Sequence, residues 1–113
     1  MSTASAIVVI VKDPALLRSI TFALNAHGQA VEPFSDWATA AGAARKADCV
    51  VLDGCLPPAD IHAGLMLSKE GTKIVLLTEG DAGSDIEFPV QVLSKPLKGS
   101  DIANAVATLR GNT

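Results

Sequence analysis

Aromatic and basic residues are scarce in this sequence. It has no tyrosine, one tryptophan and three phenylalanines, so we expect a core built from aliphatic and small side chains. Nine Lys and Arg residues stand against twelve Asp and Glu, which gives a net charge of −3. Because this balance leaves no basic face to neutralise a phosphate backbone, we expect no direct binding of nucleic acid.

Cysteines and long apolar runs are also few. Cys49 and Cys55 lack the spacing of a zinc site and are too few for a disulfide scaffold, so we expect two free thiols. The longest apolar run, residues 6–11, is far shorter than the roughly 20 residues of a membrane helix. We therefore expect a soluble, cytoplasmic protein. The chain length of 113 residues predicts a single domain over residues 1–113.

Short apolar runs alternate along the chain with segments of helical period, the pattern of repeated βα units. The predicted strands are residues 7–11, residues 30–34 and the three runs that end at Asp53, Thr78 and Lys95. Pro33 lies in the second strand and cannot donate to a ladder, so we expect this strand at a sheet edge. The strand order 2-1-3-4-5 satisfies this condition. It gives a flavodoxin-like three-layer α/β sandwich around a five-stranded parallel sheet.

The four segments between the strands and the segment after the last strand predict five helices. The first begins at Pro14, and we expect Leu16 and Phe22 to broaden its buried face. Ser35 is expected to cap the second helix. Residues 80–89, between the fourth and fifth strands, contain two glycines and no sustained apolar period. The fourth helix is therefore expected to be short or irregular.

Three polar residues of different kinds end the last three apolar runs: Asp53, Thr78 and Lys95. The carboxyl ends of parallel strands meet at one edge of a sheet, where open α/β folds build their sites. We therefore expect an acid, a hydroxyl and an ammonium to converge there. Each of these residues alone is common at a strand end as a cap or turn residue, so the prediction depends on their joint order.

The segment Asp53-Gly54-Cys55-Leu56-Pro57, with Thr78 and Lys95-Pro96, resembles the receiver domain of bacterial two-component response regulators. The resemblance covers nearly the whole chain. It implies that Asp53 is the position that accepts a phosphoryl group from a histidine kinase. It also implies that the Thr78 hydroxyl binds a phosphoryl oxygen and that Lys95 pairs with it. In this family a magnesium ion is held by two acids at the end of the first strand and by a main-chain carbonyl, here that of Cys55.

The two acids of the family are not kept in this chain. Aligning the first helix places Val11 and Lys12 on the acid positions, with Asp13 one residue beyond, and a shift by one residue would make Asp13 the second acid. Either register leaves at most one ligand, so we expect no metal and no cofactor, and magnesium only if the site proves functional. A Lys12 ammonium turned toward Asp53 would replace the ion. The alternative is a Lys12 side chain that extends to water.

These departures leave three functions open. The first is an atypical or pseudo-receiver, not an enzyme, that acts by binding a histidine kinase, a phosphotransfer protein or an output protein, with a homodimer as a further arrangement. The second is a receiver phosphorylated on Asp53 by a histidine kinase. The third is an unrelated small α/β enzyme or nucleotide binder, which the lack of a GxGxxG motif disfavours. Val92 also stands where many receivers have a Tyr or Phe that swings inward on activation, so that switch is missing.

Overall fold

One parallel sheet of five strands forms the centre of the molecule. The computed structural model describes residues 7–79, 90–95 and 99–109, and the strands are β1 (Ile7–Ile10), β2 (Val31–Phe34), β3 (Cys49–Asp53), β4 (Lys73–Glu79) and β5 (Gln91–Lys95). Their order in the sheet is β2-β1-β3-β4-β5. The predicted strand order and the flavodoxin-like architecture are therefore confirmed.

Helices cover both faces of this sheet. Within the described residues they are α1 (Pro14–Ala26), α2 (Trp37–Lys46), α3 (Pro58–Met66), a short 3-10 helix, η1 (Leu67–Glu70), and α4 (Gly99–Leu109). The predicted short or irregular fourth helix falls on residues 80–89 and lies outside the described part of the chain. No helix of the described part is both long enough and apolar enough to cross a membrane.

The inner strands are buried on both sides because successive side chains point to opposite faces. One cluster of buried residues lies between the sheet and the pair α1 and α4, and it includes Ile7, Val9, Ile20, Leu24 and Ile102. The other lies between the sheet and the pair α2 and α3, and it includes Val8, Ile10, Ala44, Leu52 and Leu65. Both faces of the sheet are therefore covered, which leaves the carboxyl ends of the strands as the place for a site.

The strand that contains proline lies at the sheet edge, as predicted. β2 pairs with β1 alone, with Pro33 opposite Val9 in the parallel register. An edge strand needs donors on one side only, so the missing N–H of Pro33 costs no ladder hydrogen bond. Among the described residues, no strand pairs with the outer side of β2.

The expectation that Phe22 is buried is wrong. Ile20 and Leu24 of α1 are buried, whereas the side chain of Phe22 is 75% exposed. Phe22 lies two residues from each of them, which is about 200° around a helix of 3.6 residues per turn. The stripe of α1 that faces the sheet therefore excludes Phe22 and leaves it on the outer face of the helix.

A different residue from the expected one caps α2. The carboxylate of Asp36, not the hydroxyl of Ser35, accepts hydrogen bonds from the Thr39 N–H at 2.9 Å and from Thr39 Oγ1 at 2.8 Å. Asp36 directly precedes the first helical residue, so its side chain reaches the unpaired N–H groups of the first turn. These hydrogen bonds lower the pKa of Asp36 below its ordinary value of 3.8, and the one from the Thr39 main chain contributes more than the one from its hydroxyl.

Two glycines in helices provide a matched test of packing. A Cβ on Gly64 of α3 would lie 2.6 Å from Leu52 Cδ1, whereas a Cβ on Gly42 of α2 would meet no atom within 4 Å. We expect Gly64→Ala to lower the free energy of unfolding by about 1–2 kcal/mol, because overpacking exceeds the gain in helix propensity. Gly42→Ala should raise it by about 0.5–1 kcal/mol. Urea unfolding followed by circular dichroism measures both, and equal stability of the two variants would contradict the tight packing of α3.

The cap of α2 predicts a pH dependence of stability. Because the pKa of Asp36 is lower in the folded chain than in the unfolded chain, its charge stabilises the fold above pH 3.8. That contribution is lost as the pH falls through the folded pKa. Asp36→Asn keeps a capping oxygen without the charge, so its melting temperature should be below that of the wild type at pH 6 and approach it near pH 3.

The control for this measurement is Ser35→Ala, which changes the neighbouring residue and leaves the cap in place. Its melting temperature should equal that of the wild type at both pH values. If Ser35→Ala lost more stability than Asp36→Asn, the assignment of the cap to Asp36 would be wrong.

Candidate functional site

The three predicted site residues end adjacent strands at one edge of the sheet. Asp53 is the last residue of β3 and pairs with Leu77 of β4. Thr78 follows Leu77, and Lys95 is the last residue of β5, where it pairs with Glu79. The strand register thus brings Asp53, Thr78 and Lys95 to the same edge, as the sequence predicts.

Asp53 is 1% exposed, and both of its carboxylate oxygens accept main-chain hydrogen bonds. Oδ2 accepts the N–H of Lys12 at 3.3 Å, and Oδ1 accepts the N–H of Cys55 at 3.1 Å. One donor follows β1 and the other follows β3. A buried carboxylate is costly unless hydrogen-bond donors compensate it, and these two main-chain N–H groups contribute to that compensation. Asp53 therefore connects the two loops that border the site.

The expected ion pair between Lys12 and Asp53 is not among the contacts of the described residues. The contact that the structure shows is the main-chain hydrogen bond, and the Lys12 side chain is exposed. Lys12 lies in the bend between β1 and α1, where its N–H turns inward and its side chain turns outward. The structure supports the alternative in which this side chain extends to water.

Val11 directly follows β1 and lies beside Asp53 in the register of the sheet. Ile10 pairs with Leu52, so Val11 is next to Asp53 in the same register. Its side chain is fully buried, and its N–H donates to the Phe34 carbonyl at 3.1 Å. A buried apolar residue therefore stands where the resemblance implies an acid.

Asp13 serves as the N-cap of α1. Its carboxylate accepts the N–H of Ala15 at 3.0 Å, and the residue is exposed. Pro14, the first helical residue, needs no acceptor for an N–H. The capping role favours the register in which Val11 and Lys12 take the acid positions. It does not support the register in which Asp13 is the second acid.

Thr78 carries a buried hydroxyl without a partner. The residue is 8% exposed, and Oγ1 has no hydrogen-bond partner among the residues that the structure describes. A buried hydroxyl left unpaired costs about 1–3 kcal/mol, so it can hydrogen-bond to a group that enters the site. This is the one feature of the described site that favours a ligand at this edge.

Gly54 was not singled out by the sequence, although it sets the spacing of the site. Its N–H donates to the Leu77 carbonyl at 2.7 Å, and a Cβ on Gly54 would lie 2.5 Å from the same oxygen. Only glycine permits this approach of the loop after β3 to β4. The Asp-Gly pair at the strand end was the available signal for this contact.

The metal-ligand atoms that these residues offer do not fit the two-acid magnesium site that the resemblance implies. Asp53 offers a carboxylate, and Cys55 offers a main-chain carbonyl. The side chain of Val11 has no atom that can bind a metal ion, and the side chain of Lys12 is positively charged. The Asp13 carboxylate accepts the N–H of Ala15 as the N-cap of α1. No group of three or more His, Cys, Asp and Glu residues that could hold a metal ion occurs in the described part of the chain. Magnesium prefers several oxygen ligands in octahedral geometry, and these residues supply few of them.

A curated protein of similar length resembles this sequence. It is the transcriptional regulator protein FixT of Rhizobium meliloti, which is 27% identical over 104 residues, 91% of this chain and 90% of that protein. No protein-family model matches the chain. The sequence similarity thus extends across the fold.

Solved receiver structures share this fold at low sequence identity. A response regulator receiver protein from Burkholderia phymatum has a TM-score of 0.79 at 19% identity, over 97% of this chain and 98% of that one. The chemotaxis response regulator CheY4 of Vibrio cholerae has a TM-score of 0.78 at 18% identity, over 95% and 99%.

A third structure contains a metal ion. It is the receiver domain of the sensor histidine kinase PA1611 from Pseudomonas aeruginosa, with magnesium coordinated in its active site cleft. Its TM-score is 0.76 at 20% identity, over 96% of this chain and 99% of that one. These comparisons confirm the predicted resemblance: the chain has the fold of a response-regulator receiver domain.

Proposed function

We propose that this chain is an atypical receiver of two-component signalling that acts by binding other proteins. The observation that carries the proposal is the replacement of the acid pair beside Asp53 by a buried Val11 and an outward-facing Lys12. In this proposal residues 1–113 form a single domain of a cytoplasmic protein that is not an enzyme. Its partners are a histidine kinase, a phosphotransfer protein or an output protein.

Phosphorylation of a carboxylate needs positive charge at the site. The attacking oxygen and the transferred group are both negative, so cations must lower the charge that the transition state gathers. Among the described residues, no group of three or more His, Cys, Asp and Glu residues that could hold a metal ion surrounds Asp53, and the Asp13 carboxylate caps α1. The exposed ammonium of Lys12 also repels a divalent cation that approaches this edge. These features support a receiver without magnesium-dependent phosphorylation.

The hydrogen bonds of Asp53 support a structural role for its charge. The carboxylate fixes the loops after β1 and β3 through the N–H groups of Lys12 and Cys55. These contacts connect the two loops without a phosphoryl group on Asp53. Val92 on β5 lacks the aromatic ring that swings inward on activation in many receivers. This supports a receiver that binds its partners without that conformational change.

The unpaired hydroxyl of Thr78 is the observation that favours the second candidate, a receiver phosphorylated on Asp53. A phosphoryl oxygen would satisfy this hydroxyl, as the family resemblance implies. The two candidates differ in whether Asp53 accepts a phosphoryl group with magnesium, so one measurement separates them.

Intact mass after incubation with acetyl phosphate, with and without magnesium, is this measurement. We expect the wild type to gain no phosphoryl group under either condition. Lys12→Asp restores one acid beside Asp53, so we expect it to gain a partial, magnesium-dependent phosphoryl group that is lost in Lys12→Asp/Asp53→Ala. Lys46→Asp makes the same charge change on the exposed end of α2 and should gain none. A magnesium-dependent gain in the wild type that Asp53→Ala abolishes would establish the second candidate instead.

The structural role of Asp53 predicts the stability of its variants. Asp53→Ala leaves the N–H groups of Lys12 and Cys55 without their acceptors, so we expect the free energy of unfolding to fall by about 1–3 kcal/mol. Asp53→Asn keeps one acceptor oxygen, so its free energy of unfolding should lie between those of Asp53→Ala and the wild type. Urea unfolding gives these values. A gain of stability in Asp53→Ala would indicate an acid retained for chemistry at the expense of stability.

A further inference from the structure

A shallow apolar groove lies between α1 and the edge strand β2. Its volume is about 520 Å³. Leu17 and Phe22 line it from the helix, Pro33 lines it from the strand, and Arg18 is the one charged residue along it. The strand wall of the groove is the edge strand β2, two strands from β3 in the sheet order.

Phe22 makes this groove unusual as a piece of surface. Its side chain is 75% exposed, and the other large apolar side chain exposed in the described residues, Met66, is 40% exposed. Burying a phenylalanine side chain gains about 1.5–3 kcal/mol, which the isolated chain forgoes here. Exposed aromatic residues beside a groove are the usual anchors of protein interfaces.

Arg18 gives the groove a charge that a partner can match. It is the one charged residue of α1, and no ion pair of Arg18 occurs among the described residues. Its guanidinium can form two parallel hydrogen bonds with a carboxylate. The groove is therefore complementary to an apolar surface that carries an acidic residue.

The shape of the groove favours a helix over a strand as its occupant. Pro33 has no N–H, so β2 offers an incomplete ladder for strand addition at its outer edge. The lining residues of α1 run from Pro14 to Asn25, about 16 Å at 1.5 Å per residue. This length fits about three turns of a partner helix laid beside α1.

We infer that this α1–β2 groove binds an amphipathic, acidic helix of a partner protein. The helix presents aliphatic side chains at i, i+3 or i+4, and i+7 to Leu17, Phe22 and Pro33, and a carboxylate to Arg18. This inference rests on the proposed function, because it specifies the partner surface of a receiver that acts by binding proteins.

A selection from a displayed library of helix-forming peptides tests the inference on the full chain. We expect the enriched peptides to share apolar residues at helical spacing with an acidic residue beside them. A selected peptide, labelled for fluorescence anisotropy, should bind Phe22→Ala at least about tenfold more weakly than the wild type. Met66→Ala removes the other exposed apolar side chain and should leave the affinity unchanged.

A charge exchange tests the role of Arg18. Arg18→Glu should weaken binding of the selected peptide by about three- to tenfold, and replacing the acidic residue of the peptide by Arg should restore it. No enriched acidic helix, or equal binding by the wild type, Phe22→Ala and Arg18→Glu, would overturn the inference. Light scattering that shows a dimer of the wild type, lost in Phe22→Ala, would also overturn it by assigning the groove to a second copy.

The binding assay and the phosphorylation assay fail independently. Binding is measured on unphosphorylated chain in magnesium-free buffer, so it reports on the groove alone. The mass measurement reports on Asp53 alone. Circular dichroism of Phe22→Ala and Arg18→Glu confirms that both variants fold, as expected for exposed positions.

Discussion

The carboxylate of Asp53 is the contact on which the site edge of this receiver fold depends. It is buried at the end of β3, and each of its oxygens accepts a main-chain N–H, one from Lys12 and one from Cys55. Gly54 then closes the loop onto the Leu77 carbonyl. Because the donors to Asp53 are main-chain N–H groups, these contacts do not require a particular side chain at position 12. The chain therefore has the fold of a receiver with Val11 and Lys12 at the end of its first strand.

The polar groups around Asp53 are the basis of the proposal that this receiver works without magnesium-dependent phosphorylation. Val11 is buried beside Asp53, and Asp13 is committed to the start of α1. The helix that Asp13 caps also carries the exposed Phe22 and Arg18 next to the edge strand β2. The region that follows β1 thus presents an apolar surface with one charged residue, Arg18. In the proposed function, this surface recognises a protein.

Much of the fold could be predicted because hydrophobic period and proline chemistry are local signals. The strand order followed from Pro33, and the ends of three apolar runs placed Asp53, Thr78 and Lys95 at one edge. The exposure of Phe22 was missed because Phe22 is apolar and close in sequence to the buried residues Ile20 and Leu24, so the sequence pattern alone did not exclude it from the buried face of α1. The cap at Asp36 was missed because Ser35 and Asp36 are both good capping residues, and the choice depends on where the first helical turn begins.

The sequence by itself determined the class of fold, the edge at which a site forms and the absence of two adjacent acids after β1. Those features depend on residue type and order alone. Only the tertiary structure decided that Lys12 meets Asp53 through its N–H and that its side chain faces water. The direction of a side chain at a bend depends on the main-chain dihedrals there and on what is already buried beside it. Val11 is buried directly before the bend, and the Lys12 side chain is exposed within it.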